Sequence, residues 1–157
     1  ICEFQGLLTQ GTYDTLRYQK GERPGVYKKH DYVTGAKEVG VLPEDVPEEL
    51  AELIAELDSV EPRQALTAAA YFHAKFENIH PFADGNGRTG RLLMNYLLLL
   101  WDHPPIIIHE EDRRAYYDAL ERFDEDQELA PLTAFLQEQA VKTWRTRFER
   151  EQARQRK

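Results

Sequence analysis

Residues 80–91 read His-Pro-Phe-Ala-Asp-Gly-Asn-Gly-Arg-Thr-Gly-Arg, a base, a carboxylate, a glycine-flanked turn and two arginines within twelve positions. Each of these residue types has a use at a polyphosphate. Gly85, Asn86 and Gly87 let backbone N–H groups approach an anion, and a helix beginning near Arg88 adds its positive end at the same place. Arg88 and Arg91 stand three apart in the first turn of that helix, so both planar forks reach one side. Asp84 is a hard oxygen ligand for the magnesium that accompanies a nucleotide triphosphate, for which one or two protein carboxylates suffice. Taken singly, the residues have plain explanations: an ordinary turn, a core histidine, a solvated helix start. Their coincidence in one segment favours a phosphate site. Gly85 to Gly90 also fits the dinucleotide pattern G-x-G-x-x-G, with Glu110, Glu111 and Asp112 downstream. That pattern must follow a buried strand, whereas the residues before His80 have helical period. No Gly-Lys-Ser or Gly-Lys-Thr occurs, so the phosphate-loop pattern is absent as well.

The segment resembles the signature of the Fic family, H-x-F-x-[DE]-G-N-G-R-x-x-R, at every fixed position. Looser similarity runs through Pro24-Gly25-Val26-Tyr27-Lys28, where the family usually ends in Arg, and through Pro105-Ile106-Ile107-Ile108 with Tyr116, Tyr117, Ala119 and Leu120. The resemblance implies an all-α Fic fold, a helical bundle around a central buried helix, with a small β-hairpin flap over the active site. It also implies a protein adenylyltransferase that moves AMP from ATP to a Tyr, Thr or Ser hydroxyl of a target protein and releases pyrophosphate. On this resemblance His80 is the general base, with an ordinary titration range suited to that task. Asp84 holds Mg2+; Gly85, Asn86 and Gly87 cradle the phosphates, the Asn86 amide donating toward the α-phosphate; Arg88 and Arg91 grip the β- and γ-phosphates. Phe82 reads as the anchor that pins the loop to the core. The same scaffold is compatible with transfer of UMP, GMP or phosphocholine, or with removal of AMP, and a rival of another class is a nucleotide-sensing adaptor. An intact His80 argues against the adaptor, because a pure binder has no use for a base beside the phosphates.

Family members are often inhibited by a helix with the pattern [ST]-x-x-x-E-[GN], whose glutamate would meet Arg91. The pattern does not occur here: Glu77-Asn78 is preceded by His73 where Ser or Thr is required. The chain begins with Ile, as expected of a fragment of a longer protein, so an inhibitory helix is expected upstream of this chain or on an antitoxin protein. A homodimer is a further route to inhibition in trans.

Elements must hold this loop in place. Leu50, Leu53, Ile54 and Leu57 share one face behind Pro47 and predict a short amphipathic helix. The next helix starts near Pro62 and carries Ala69, Phe72, His73, Phe76 and His80 on one stripe, with Pro81 as its stop. His73 on that stripe reads as core. Leu92 to Trp101 are apolar on every side but Asn95, which predicts a helix surrounded by others. Two more helices follow, one with Tyr116, Ala119, Leu120 and Phe123, and one from Pro131 with Leu132, Phe135, Leu136, Val141, Trp144 and Phe148. Tyr117, off the main stripe, is a candidate for the adenine pocket. Asp31–Thr34 and Glu38–Val41, joined by Gly35-Ala36-Lys37, read as a hairpin over 31–41. As the flap, it would dock an extended target segment on its edge through Tyr32, Val33, Thr34 and Val39.

Length and composition bound the rest. A chain of 157 residues, 41% hydrophobic and 31% charged, is expected to be a single domain over 1–157. Its lone cysteine, Cys2, excludes a disulfide framework and points to a reducing compartment, the cytoplasm, with delivery as a secreted effector the alternative. The net charge is −8; the basic tail 145–157 carries six Lys or Arg against two Glu, so the remainder carries −12. That balance speaks against nucleic acid as a partner, and no apolar stretch reaches the ~18 residues of a membrane span.

Overall fold

Helix signals dominate the sequence, and the structure follows them. The computed structural model describes residues 1–34 and 37–155. The elements run α1 (Cys2–Thr9), α2 (Thr15–Gln19), β1 (Tyr32–Thr34), β2 (Lys37–Val39), α3 (Val46–Ala55), α4 (Ala65–Ile79), α5 (Asn86–Leu100), α6 (Arg113–Asp126) and α7 (Ala130–Gln155). Short 3-10 turns at Pro62–Gln64 and Glu110–Asp112 lead into α4 and α6. The protein is mainly helical, in line with the all-α reading.

In α3, Glu48 and Glu49 occupy the first turn, where carboxylates oppose the helix dipole, and Val46, Leu50 and Leu53 make the buried stripe. Ile54 is exposed and Leu57 follows the helix end, so the buried face is narrower than the apolar spacing predicts. Before α4 the Gln64 side chain accepts from the Glu61 N–H, satisfying one of the donors that a helix start leaves open. Ala69, Phe72, His73 and Phe76 are buried along α4, as the stripe requires. The surrounded helix is the expectation that fails. In α5 the buried positions Asn86, Thr89, Leu93, Met94 and Leu98 form one face, while Leu92, Tyr96, Leu99 and Leu100 are exposed. Leucine is a strong helix former whether or not it is covered, so an apolar run reports helix more surely than burial. Likewise Val141 and Phe148 on α7 are exposed, and the buried stripe there is Leu132, Phe135, Leu136 and Gln139.

The chain divides into two compact units, Ile1–Val60 with Lys75–Met94, and Glu61–Ala74 with Asn95–Lys157. The first holds α1, α2, the strands, α3, the last turns of α4 and the first turns of α5. Its strands pair antiparallel with Tyr32 opposite Val39, Val33 opposite Glu38 and Thr34 opposite Lys37. Gly35 and Ala36, and the side chains of Val33, Thr34 and Val39, lie outside the described residues, as do Arg156 and Lys157 of the tail. The second unit is organised around α6 and α7. Tyr116 stacks on the fully buried His73 and bonds its Nε2 at 2.7 Å. The extended segment before α6 is stitched at Ile106, whose N–H and C=O both bond the Asn95 side chain, and at Pro105, whose carbonyl accepts from Trp144.

Candidate active site

The loop from Pro81 to Gly85 lies between α4 and α5, wholly within the first unit. An anion-binding loop must aim N–H groups at the anion and find other partners for its carbonyls. Here five successive carbonyls are engaged. Pro81 O accepts from Lys28 N (2.9 Å), Phe82 O from Asn86 Nδ2 (2.7 Å), Ala83 O from Arg17 Nε (3.2 Å), Asp84 O from Gln5 Nε2 (2.8 Å) and Gly85 O from Thr89 N (2.9 Å). Gly85 turns the chain with φ +82°, and Thr89 closes the first turn of α5. Ahead of it the N–H groups of Asn86, Gly87 and Arg88 have no acceptor inside the helix, the usual condition of a helix start. Asn86 is buried and its Oδ1 accepts from Phe82 N, so its side chain is committed to closing the loop, and it is the backbone of 86–88 that faces outward from the helix end. Phe82 is fully buried between Tyr27 and Phe76.

α1 supports this loop from outside. Gln5 is 0% exposed; besides Asp84 O it donates to Tyr13 Oη and accepts from Gly25 N. Thr9 packs so closely that a Cβ at Gly85 would stand 2.3 Å from its Cγ2. Thr12 Oγ1 donates to Asp84 Oδ2 at 2.9 Å, and Arg88 Nη2 donates to the same oxygen at 2.8 Å while its Nη1 bonds Leu8 O. Gln5, Thr12, Arg17 and Lys28 are thus part of the site, and sequence reading did not find them. Only Lys28 stood in a motif-like stretch; a buried glutamine has no spacing that announces it.

His80 follows the last helical residue with φ +51°, a left-handed backbone that costs of order 1–2 kcal/mol outside glycine. Pro81 stops the helix, and the helix end is sealed by Val41 N donating to Ile79 O at 3.1 Å. Burial, and secondarily the charge of Lys28, lower the imidazole from 6.5 to about 4, while a hydrogen bond to the Glu77 carbonyl works the other way. The ring is therefore neutral at physiological pH. With one nitrogen donating to Glu77 O, the other is left as a proton acceptor.

Among the described residues both hydrogen bonds to Asp84 fall on Oδ2, which leaves Oδ1 as the oxygen a cation would use. Among the described residues no group of three or more Asp, Glu, His or Cys gathers as a metal cage. One carboxylate beside phosphates and water is the usual magnesium arrangement, and the donor set fits it. Arg91 reaches back over the helix start, its Nη1 being 3.0 Å from where a Cβ at Gly87 would stand.

The hairpin is tied down at both ends. The buried carboxylate of Glu22 accepts from Lys29 N and from Tyr32 Oη, and lies 2.9 Å from His30 Nδ1. Burial alone would raise Glu22; these bonds, led by His30, hold it below the usual carboxylate range. After β2, Gly40 has φ +88° and rests on the end of α4, where a Cβ would stand 2.5 Å from Ile79 O and 2.6 Å from His80 Cβ. Tyr117 belongs to the second unit, on α6, 49% exposed with the Arg113 guanidinium over its ring.

Fold and loop together define a class: helical domains that present a histidine-led, glycine-turned loop at the start of a helix. The profile of the Fic/DOC family matches residues 1–98, and the chain belongs to that family. It is 48% identical over 68 residues to a protein adenylyltransferase Fic of Aedes aegypti, covering 43% of this chain and 13% of the relative. With the protein of that name from Drosophila persimilis it shares 47% over 75 residues, 48% of this chain and 15% of the relative. The match therefore spans a small part of the length of these curated relatives. Among solved structures, Fic-1 (residues 134–508) of C. elegans superposes with a TM-score of 0.79 at 25% identity, over 97% of this chain and 43% of the other. A Fic domain containing signaling protein of Bacteroides thetaiotaomicron gives 0.69 at 25% identity, over 90% and 59%. No helix among the described residues is long and apolar enough to cross a membrane.

Proposed function

We propose that the chain is a protein adenylyltransferase domain that transfers AMP from ATP to the hydroxyl of a Tyr, Thr or Ser on a target protein. The observation that carries this reading is a half-buried, neutral His80 with one ring nitrogen bonded to the Glu77 carbonyl, directly ahead of the loop whose carbonyls are all turned to other partners. His80 takes the proton of the attacking hydroxyl; the new bond forms to the α-phosphorus, the bond from it to the bridging oxygen breaks, and pyrophosphate leaves. The N–H groups of 86–88 and the helix dipole stabilise the phosphates, and Arg91 and Arg88 supply charge, Arg88 exchanging part of its bond to Asp84 for phosphate oxygens. Asp84 would hold Mg2+, which supplies neutralisation of charge on the leaving pyrophosphate. Gly40 leads from β2 directly onto His80, so the hairpin is suited to hold an extended target segment with its hydroxyl near the base.

The test is to incubate the chain, and His80→Ala, with ATP, Mg2+ and a lysate, and to read intact masses. A gain of one AMP that falls by roughly 10²–10⁴-fold in His80→Ala, with ATP binding kept, supports the assignment. Transfer that survives in His80→Ala, or a gain seen only with UTP, GTP or CDP-choline, overturns the base or the substrate respectively.

A further inference from the structure

The base is not alone in its pocket. Lys28, on the segment between α2 and β1, is 3% exposed, which is rare for lysine. Its N–H is fixed on Pro81 O, the residue after His80. Its Nζ and the Cβ of His80 both lie within 2.8 Å of one point, the place a Cβ at Gly40 would take. Glycine at 40 thus leaves room for the ammonium beside the Cβ that carries the imidazole.

We propose that Lys28 is a positioning residue for the general base: its buried ammonium, packed with His80 around Gly40, keeps the imidazole neutral and ready to accept a proton. This rests on the reading of His80 as base. A second positive charge on the half-buried ring beside the ammonium would be a like-charge pair largely withdrawn from water, which is disfavoured. The surroundings single out Lys28 for this part. Burial lowers the lysine from its ordinary value, and Asp31 on its own segment works the other way, toward the ammonium. From α4, Glu77 meets the ring through its backbone carbonyl. Gly40 and Val41 meet the end of α4 through uncharged groups, and on the loop Asp84 and Arg88 are paired with each other. Among the described residues, Lys28 is accordingly the charged side chain that acts on the imidazole, as a cause second to burial.

The experiment is a titration of the histidine rings by NMR in the chain without nucleotide, the His80 signal being identified by its loss in His80→Ala. In Lys28→Met the His80 midpoint is expected to rise by roughly half to one pH unit, the lesser share of the displacement because burial is the larger cause. Lys28→Arg, which restores the charge, is expected to return it to the wild-type value. An unchanged midpoint in folded Lys28→Met overturns the proposal, and so does an Arg variant that moves as far as the Met variant, since packing and not charge would then be the agent. Should Met at this site abolish the helical circular dichroism signal, Lys28→Gln carries the same expectation and the same refutation. The readout needs no turnover, so a chain that transfers no AMP but shows these shifts refutes the transferase reading and leaves the tuning of His80 standing.

Discussion

Replacing Gly85 with Ala tests whether α1 truly rests on the catalytic loop, and the cost has two separable parts. The first is local: φ is +82° at this position, where an alanine costs about 1–2 kcal/mol. The second is an overlap, since the new Cβ would stand 2.3 Å from Thr9 Cγ2, more than an ångström inside ordinary contact; overpacking of that kind costs about 1–3 kcal/mol. Together they predict a loss of roughly 2–5 kcal/mol, or a Tm lower by several to ~15 °C for a chain of this size. Thr9→Ser removes the clashing methyl and keeps Oγ1, which donates to Gln5 O at 2.7 Å; alone it should cost about 1 kcal/mol for a buried methyl. In the double variant the overlap vanishes while the backbone term remains. Urea unfolding followed by both circular dichroism and tryptophan fluorescence, on wild type, both singles and the double, should therefore give a favourable coupling of about 1–3 kcal/mol. Additive losses would mean that α1 does not bear on the loop, and the account of Gln5, Thr9 and Thr12 as its outer support would be wrong.

Two further outcomes follow from the same unit. His80 is lowered in the fold from 6.5 to about 4, so its neutral form contributes nothing adverse at pH 8, and stability is lost as pH falls through 6.5 toward 4 while the unfolded chain takes up the proton. Wild type should lose about 2 kcal/mol more than His80→Gln between pH 8 and pH 5, and equal losses in urea titrations at the two pH values would contradict the burial of the ring. Gly87→Ala brings a Cβ to 3.0 Å from Arg91 Nη1, the movable end of a side chain; the fold should lose under ~1 kcal/mol while KM for Mg·ATP rises several-fold. A KM that stays at the wild-type value would remove Arg91 from the phosphate site.

The parts that could be read from sequence are those whose chemistry is local. His80, Asp84, the glycine turn and the arginines lie within one segment, and the buried stripe of α4 follows from side-chain period alone. The two strands were legible in outline from their β-branched and aromatic residues, but not their register: Lys37, read as part of the turn, pairs with Thr34, and the second strand is Lys37–Val39 rather than Glu38–Val41. What could not be read is set by demands arising elsewhere. Gln5 is buried because Asp84 O, Gly25 N and Tyr13 Oη need a partner, and nothing in the residues around Gln5 states that need. Lys28 looks like an ordinary surface lysine until Gly40 makes a place for its ammonium. The misread face of α5 has a different cause: Leu92, Leu99 and Leu100 favour helix by their own conformational preferences, and so carry no information about what covers them.

The five engaged carbonyls bear on how the site comes into being. Three of their partners, Gln5, Arg17 and Lys28, precede the loop by dozens of residues, with separations of 79 for Gln5 to Asp84 and 66 for Arg17 to Ala83. Closing a loop of that length costs about 4 kcal/mol of chain entropy before any contact repays it. Contacts so distant in sequence form slowly, and on a ribosome α1 emerges long before the segment it braces has been synthesised. A nascent chain carries the residues of the base and the phosphate turn without the fastenings that orient them, and the reactive arrangement appears only when the first residues and the ninetieth have met.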